Sequence, residues 1–302
     1  METDSRIGMV VPVCNASCNY QQINPPCHTM EEIQHFAESY NVSDPNKWEE
    51  RLKLCTYAGI YRTDIQKALG GFDEDFNPGS YDDDAICFSI RRMGYKVILA
   101  KDTFVHHYGA RSFNEEYVKD STLAIRNKCL FVAKFGVDPY VAGLIDDNIL
   151  ALLSYKAAEN ISILGIGESY GTTVLQLKNL CKYFKSRNVD LYYLSEQERN
   201  MTELNTICDE CVHGSVNDVR SHFGNRLYDY IIVESESEKL QNKEVLFTTL
   251  YNLLKEGGQI VCTATNETIL YEMLGIHWQL GATFDKQVNY YYLCFSKPKT
   301  GG

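Results

Sequence analysis

The second half of the chain narrows the folding options most, because apolar runs and amphipathic segments exchange there in regular order. "NISILGIG" (160–167) has the pattern of a buried strand and runs into a glycine turn. "TTVLQLKNLCKYFKSR" (172–187) has a helical pattern, and "VDLYYLS" (189–195) is the next strand. A helix in "EQERNMTELNTICDE" (196–210) and a short strand in "CVHGSV" (211–216) follow. "YDYIIVES" (228–235) is an apolar strand, and "NKEVLFTTLYNLLKEGG" (242–258) a helix with glycine at its C-terminal end. "QIVCTAT" (259–265) and a pair of strands in "ATFDKQVNYYYLCFSK" (282–297) complete the series. Strands alternating with helices predict an α/β domain built on a doubly wound, mostly parallel sheet.

Gly136, Asp138 and Pro139 break the pattern ahead of this region, and an amphipathic helix carrying Leu144, Ile145, Ile149, Leu152 and Leu153 follows them. The expected boundary therefore falls at about residue 138, giving domains 1–138 and 139–302. The first domain is less regular. "GMVVPVC" (8–14) reads as a strand, and "TMEEIQHFAESYN" (29–41) and "DPNKWEERLKLC" (44–55) as helices. "TYAGIYRTDIQKALGGF" (56–72) passes from strand to helix, and "YKVILAKDTFVHHYG" (95–109) is a strand ending in paired histidines.

Between them, "PGSYDDDAICFSIRR" (78–92) opens a helix with three consecutive acids. Ser80 suits the N-cap, and negative charge in the first turn faces the positive helix end. Ile86, Ile90 and Met93 form the expected core stripe, Arg91 and Arg92 favour the last turn, and Gly94 suits the C′ position. Capping explains one or two acids but does not require three, since neighbours repel. Successive helical residues point about 100° apart, so at least one aspartate faces away from any shared site.

Acids exceed bases by 40 to 29, a net charge of −11, which argues against a phosphate-tracking nucleic-acid binder. It leaves room for a small anion held by a few local donors. No apolar run approaches a membrane span, and the N-terminus lacks a signal-peptide pattern, so a cytoplasmic chain is expected. Its 11 cysteines read as reduced thiols. Cys208, Cys211 and His213 have the spacing of half a zinc site, with no second half nearby; the plainer reading is a helix end followed by a strand.

"GGFDEDFNPGSYDDDAICFSIRRMGYKVILAKDTFVHHYG", with "MVVPVCNASCNYQQI" and "TYAGIYRTDIQKALGGFDEDF" before it, resembles the acceptor-side half of family 2 glycosyltransferases of the GT-A fold. The resemblance spans residues ~7 to ~136. It implies that Asp83 is the base that takes the acceptor's proton, Asp82 its orienting partner, and Asp84 a solvent-facing cap. His107 would reach the metal or diphosphate region, and His106 would pack or cap the strand end. The chain departs from the family at Ala85 and Ser89, where a further acid and an arginine are common. The family's donor half, with its Asp-x-Asp site for Mn²⁺ or Mg²⁺, precedes the segment matched here. A nucleotide sugar and a glycan or protein acceptor would then need a longer chain or a partner subunit.

Residues ~140 to ~297 resemble class I S-adenosylmethionine-dependent methyltransferases in strand order and in local pattern. "ILGIGESYG" stands at the family's glycine-rich loop, and "YDYIIVES" with "LYNLLKEGGQIVCTATNE" at its fourth and fifth strands. The resemblance implies that Gly165, Gly167 and Gly171 shape a cofactor loop and that Glu196 binds the ribose hydroxyls. Gly165 replaces the family's opening acid, Ser169 its middle glycine, Ser195 the expected ribose acid and Ser215 a third-strand acid. Three functions are therefore weighed, with sugar transfer the expected one and the other two its alternatives. They are sugar transfer, methyl transfer to a sugar or peptide presented by the first domain, and a non-catalytic role in an assembly.

Overall fold

The computed structural model describes residues 2–109, 121–236, 243–264, 279–285 and 290–299. Their contacts divide the chain into two compact units, Met1–Gly143 and Leu144–Gly302.

The first unit is built on a small mixed sheet in the order β2–β4–β1–β3. Strand β1 (Ile7–Cys14) is buried along nearly its whole length, as its unbroken apolar run requires of a central strand. It pairs in parallel with β4 (Lys96–Val105) and antiparallel with the two-residue β3 (Ile60–Tyr61). Helix α1 (Met30–Tyr40) starts with a capping box, in which Thr29 accepts from the Glu32 N–H and Glu32 reaches back to the Thr29 N–H.

Residues 44–55, expected as a helix, instead form a single 3₁₀ turn and strand β2 (Trp48–Arg51), antiparallel to β4. The physical reason is charge pairing. Glu49, Glu50 and Arg51 are all buried on β2; Glu49 pairs with Arg51 and with Lys101 of β4, and Glu50 with Arg91. "WEER" is a buried strand because its charges are compensated inside the unit.

Helix α2 (Thr63–Leu69) ends at Gly70, which takes the left-handed conformation a C-terminal cap favours. Helix α3 (Asp82–Arg92) carries the three acids in its first turn, but Ser80 does not cap it. Ser80 (φ 72) and Tyr81 (φ 65) are both left-handed, so the chain enters the helix through a strained turn without a side-chain cap. Asn127, on helix α4 (Ser121–Phe135), holds that turn: its Nδ2 donates to the carbonyls of Phe76, Gly79 and Ser80 at 2.7, 2.6 and 3.1 Å. The core stripe of α3 also differs from expectation. Ile86 and Ile90 are buried, but Met93 is exposed, and Phe88 and the charged Arg91 are fully buried as well. The Arg91 guanidinium donates to Glu50 at 2.8 Å and to the Arg51 carbonyl at 3.0 Å.

The second unit contains a seven-stranded sheet in the order β10–β11–β9–β8–β5–β6–β7. Its strands are β5 (Asn160–Gly167), β6 (Asn188–Ser195), β7 (Glu210–His213), β8 (Tyr228–Glu236), β9 (Leu254–Ala264), β10 (Gln279–Asp285) and β11 (Tyr290–Ser296). The five strands β5 to β9 run parallel, whereas β11 is antiparallel to both β9 and β10. The protein is thus α/β, with a doubly wound Rossmann-like sheet in the second unit and a separate small mixed sheet in the first.

Helices α5 (Asp147–Ala151), α6 (Thr172–Tyr183), α7 (Met201–Ile207) and α8 (Lys243–Leu253) accompany this sheet. The helix expected over 242–258 stops at Leu253, and "KEGG" belongs to β9. The helix expected over 196–210 is confined to a 3₁₀ turn and α7. From β5 the chain winds outward to β6 and β7, then returns across β5 to β8. The β5–β8 boundary is therefore the topological switch point, where open α/β sheets form a crevice beyond the strand C-termini.

Candidate functional site

The residues singled out in the second unit gather at that crevice. Gly167 ends β5; Ser195, paired with it in register, ends β6; and Val233, immediately before Glu234, pairs with Ile166. The turn 167–171 crosses the crevice and enters α6 at Gly171, a left-handed residue (φ 75). Asn200 braces the turn, donating to the carbonyls of Glu168 and Ser169 at 2.6 and 3.1 Å.

Two of the glycines have packing reasons of their own. A Cβ on Gly165 would lie 2.4 Å from the Tyr193 ring, and one on Gly171 would lie 2.9 Å from side-chain carbons of Leu204 and Ile207. Their absence of a side chain is therefore required by the interior of the unit, whether or not a ligand approaches.

Ser169, at the family's middle-glycine position, turns inward. Its hydroxyl lies 3.0 Å from the Tyr193 hydroxyl and donates to Glu234 at 2.6 Å; Tyr193 donates to Glu234 at 2.6 Å. Burial pushes the Glu234 carboxyl above the usual carboxylate range, against the pull of the Ser169, Tyr193 and Thr173 hydroxyls, and the charge of Asp146 adds to the rise. Asp146 is itself raised by burial although it caps α5 through the N–H groups of Asn148 and Ile149. Among the described residues, Ser169 and Tyr193 hydroxyls donate to Glu234, and the backbone N–H groups of Asn148 and Ile149 donate to Asp146. Glu234 escaped sequence reasoning; the available signal was an acid ending the apolar strand beside the crossover.

Glu196 follows β6 directly. Its Oε1 accepts the Val216 N–H at 3.2 Å, which ties the segment after β7 to the crevice. Ser195 is fully buried and bonds locally to the Gln197 backbone, which leaves Glu196 as the half-buried acid at the strand end. Ser215, at the expected third-strand acid position, caps the next 3₁₀ turn.

A cavity of about 540 Å³ lies at the opposite end of the strands, around Tyr155, Lys156, Asp229, Tyr230 and Lys297. It is at the wrong edge of the sheet for a switch-point ligand.

In the first unit, the three acids diverge. Asp83 accepts a hydrogen bond from the Thr56 hydroxyl. Burial pushes its carboxyl up to about 6; Thr56 opposes this, and the neighbouring Asp82 and Asp84 add to it. Asp82 is half-buried. Asp84, expected to face solvent, is instead buried against Lys53 at 3.1 Å. Burial raises its carboxyl, and the lysine charge opposes the rise.

His107 stacks on Tyr57 with ring centroids 5.1 Å apart, and its Nδ1–H points to the Ala16 carbonyl at 2.7 Å. Asn15 brackets its backbone, accepting from the His107 N–H at 2.8 Å and donating to its carbonyl at 3.1 Å. Since Thr56 and Tyr57 are consecutive, Asp83 and His107 face one short segment from either side. His106 leaves its buried Nδ1 without a hydrogen bond among the described residues.

Among the described residues no group of three or more His, Cys, Asp and Glu side chains is placed to hold a metal ion. This applies to His107 and equally to Cys208, Cys211 and His213. The Cys211 thiol donates to Asn205, and burial raises both thiols, disfavouring the thiolates that zinc needs. No described helix is long and apolar enough to cross a membrane.

A scan against protein-family models matched none of the sequence, and a search of curated proteins found no match. Solved structures do show likeness. Precorrin-6y C5,15-methyltransferase from Geobacter metallireducens is 11% identical over 51% of this chain and 86% of its own, with a TM-score of 0.39. A putative S-adenosyl-L-methionine-dependent methyltransferase from Methanococcus maripaludis is 11% identical over 60% and 94%, at 0.39. A methyltransferase from Pyrococcus furiosus is 14% identical over 58% and 95%, at 0.37.

Proposed function

We propose that the second unit binds S-adenosylmethionine at the β5–β8 crevice and serves methyl transfer. The observation that carries this reading is the coincidence, at the switch point, of the 167–171 turn, Glu196 and the carboxyls of Glu234 and Asp146. The ligand is cationic at its sulfonium and amino groups, which suits a crevice holding the carboxyls of Glu234 and Asp146. A nucleotide diphosphate would meet repulsion there. When bound, the cofactor supplies an electrophilic methyl group.

The chain's own residues hold and exclude. Glu196 would accept the two ribose hydroxyls, Asn200 keeps the turn in place, and Glu234 with Asp146 balances the ligand's charge. Tyr193 and Ser169 fix Glu234 on one side of the crevice.

The test is thermal denaturation with S-adenosylhomocysteine and S-adenosylmethionine, followed by titration calorimetry. A ligand that binds only the folded unit at 100 times its Kd stabilises it by about 2.7 kcal/mol. Glu196→Gln should weaken binding by roughly tenfold or more, the loss of one charge-assisted hydrogen bond. No stabilisation at millimolar ligand would overturn the reading.

A second reading is favoured by one observation in the first unit, the Asp83 carboxyl raised to about 6 beside Thr56. A general base works best with a pKa near the working pH. In that reading Asp83 takes the proton of an acceptor hydroxyl during sugar transfer and Asp82 helps orient it. Nucleotide-sugar turnover with Mn²⁺ or Mg²⁺ that Asp83→Asn abolishes would support it. Turnover surviving that substitution would count against Asp83.

A further inference from the structure

The loops that follow β1 and β2 are clamped together by one buried side chain. Gln21, fully buried, accepts the Cys55 N–H at 2.5 Å through Oε1 and donates to the Cys55 carbonyl at 3.0 Å through Nε2. Left-handed Asn19 (φ 54) and Tyr20 (φ 60) turn the first loop back on itself just before Gln21. The clamp brings two thiols into contact: Cys18 Sγ lies 2.8 Å from Cys55 Sγ, and Asn19 Nδ2 donates to Cys55 Sγ at 3.3 Å. Cys18 is exposed and Cys55 half-buried, so reagents reach the pair from the Cys18 side.

We propose that Cys18 and Cys55 are a reactive dithiol site, which a small disulfide such as oxidised glutathione closes to an intramolecular Cys18–Cys55 bond. The Cys18 thiolate attacks one sulfur of the reagent, whose S–S bond breaks, and one glutathione thiolate leaves. The Cys55 thiol then gives its proton to solvent and its sulfur attacks Cys18 Sγ, expelling the second glutathione thiolate. The protein loses two protons and two electrons, and one oxidised glutathione becomes two reduced ones.

The surroundings assign the roles. The hydrogen bond from Cys55 lowers the Cys18 thiol to about 7 and the Lys53 charge assists, while burial and the charges of Asp84 and Asp83 oppose the shift. The same hydrogen bond, with burial, holds the Cys55 proton tightly. Cys18 is therefore the attacking sulfur and Cys55 the resolving one.

The experiment treats the full chain with oxidised glutathione at about pH 8, blocks remaining thiols with iodoacetamide, and reads intact mass and peptide map. The expected product has two fewer alkylatable thiols and a cross-link joining the peptides that contain Cys18 and Cys55. Cys55→Ser should accumulate a mixed disulfide at Cys18, whereas Cys18→Ser should leave Cys55 unmodified. In the untreated protein Cys18 should alkylate at least threefold faster than the exposed Cys129 at neutral pH. Absence of reaction at Cys18, a mixed disulfide that persists there in the wild-type chain, or a cross-link between other cysteines would each overturn the proposal.

Discussion

Gly165 separates a packing role from a ligand role, and one substitution reads the difference. In Gly165→Ala the new Cβ would lie 2.4 and 2.5 Å from Cδ2 and Cε2 of Tyr193 and 3.2 Å from Val174 Cγ1. Carbon atoms rest about 3.5–4.0 Å apart, so the ring must retreat by roughly 1 Å. It cannot do so freely. Tyr193 is fully buried, and its hydroxyl is tied to Glu234 at 2.6 Å. Overpacking of this kind costs about 1–3 kcal/mol, and the anchored ring places the cost in the upper half, about 2–3 kcal/mol. Hydrogen exchange read by mass spectrometry on the β5 and β6 peptides reports this unit by itself. Their slowest amides should exchange roughly 30- to 150-fold faster, at about 1.4 kcal/mol per tenfold. Gly214→Ala is the control, since its nearest neighbour would lie at 3.4 Å, and it should change exchange by less than about threefold. Combining Gly165→Ala with Tyr193→Leu should recover at least about 1 kcal/mol relative to the sum of the single changes. Exchange in Gly165→Ala within threefold of wild type, or strict additivity in the double variant, would refute the packing argument. Unchanged stability with lost S-adenosylhomocysteine binding would mean that the glycine serves the ligand.

Three further outcomes follow from the first unit. Asp83 is raised to about 6 from an unfolded value of 3.8, so the folded state binds the extra proton between those values. Its contribution to stability is accordingly greatest below pH ~4 and is lost as pH rises through ~6, by at most about 3 kcal/mol. Asp83→Asn should remove that slope and stabilise the chain near pH 7, which denaturation across pH 4–8 would show; an unchanged slope would mean Asp83 is not the group. Arg91→Met withdraws the guanidinium from Glu50 and from the Arg51 carbonyl, and should cost about 3 kcal/mol or more in urea denaturation. Closing the Cys18–Cys55 bond ties residues 37 positions apart, and the chain-entropy model gives about 4 kcal/mol of stabilisation, reversed by reductant.

The second unit was the more legible because parallel strands covered on both faces read as apolar runs. β5 and β8 are such runs, and their order follows from the helices between them. Glu196 was singled out by the resemblance to methyltransferases, and the structure places it directly after β6. The Ser169–Tyr193–Glu234 cluster was not legible, because it depends on the register that sets Gly167 beside Ser195 and Val233 beside Ile166. In the first unit, charged letters misled. Glu49, Glu50 and Arg51 looked like a helix surface, and Asp84 like a solvated cap, because Lys101, Arg91 and Lys53 compensate Glu49, Glu50 and Asp84 from distant positions and Glu49 also pairs with Arg51. Arg91 looked like a dipole partner for the same reason. Periodicity assigns charge to water and has no means of seeing such pairs.

The clasp on the turn before α3 has a consequence for the order of events in synthesis. Asn127 satisfies three carbonyls between Phe76 and Ser80, Arg126 donates to the carbonyls of Asp75 and Asn77, and Lys134 pairs with Asp73 and Asp75. All three clasping residues lie on α4, some fifty positions downstream. A nascent chain that has emerged only as far as β4 holds every aspartate of α3, with the Thr56 and Lys53 that Asp83 and Asp84 contact, but not the α4 side chains that clasp the preceding turn. The turn leading into the acid run therefore gains its clasp only once α4 is available to dock. Fragments ending before α4 should carry the acid run without the clasp on the turn that precedes it.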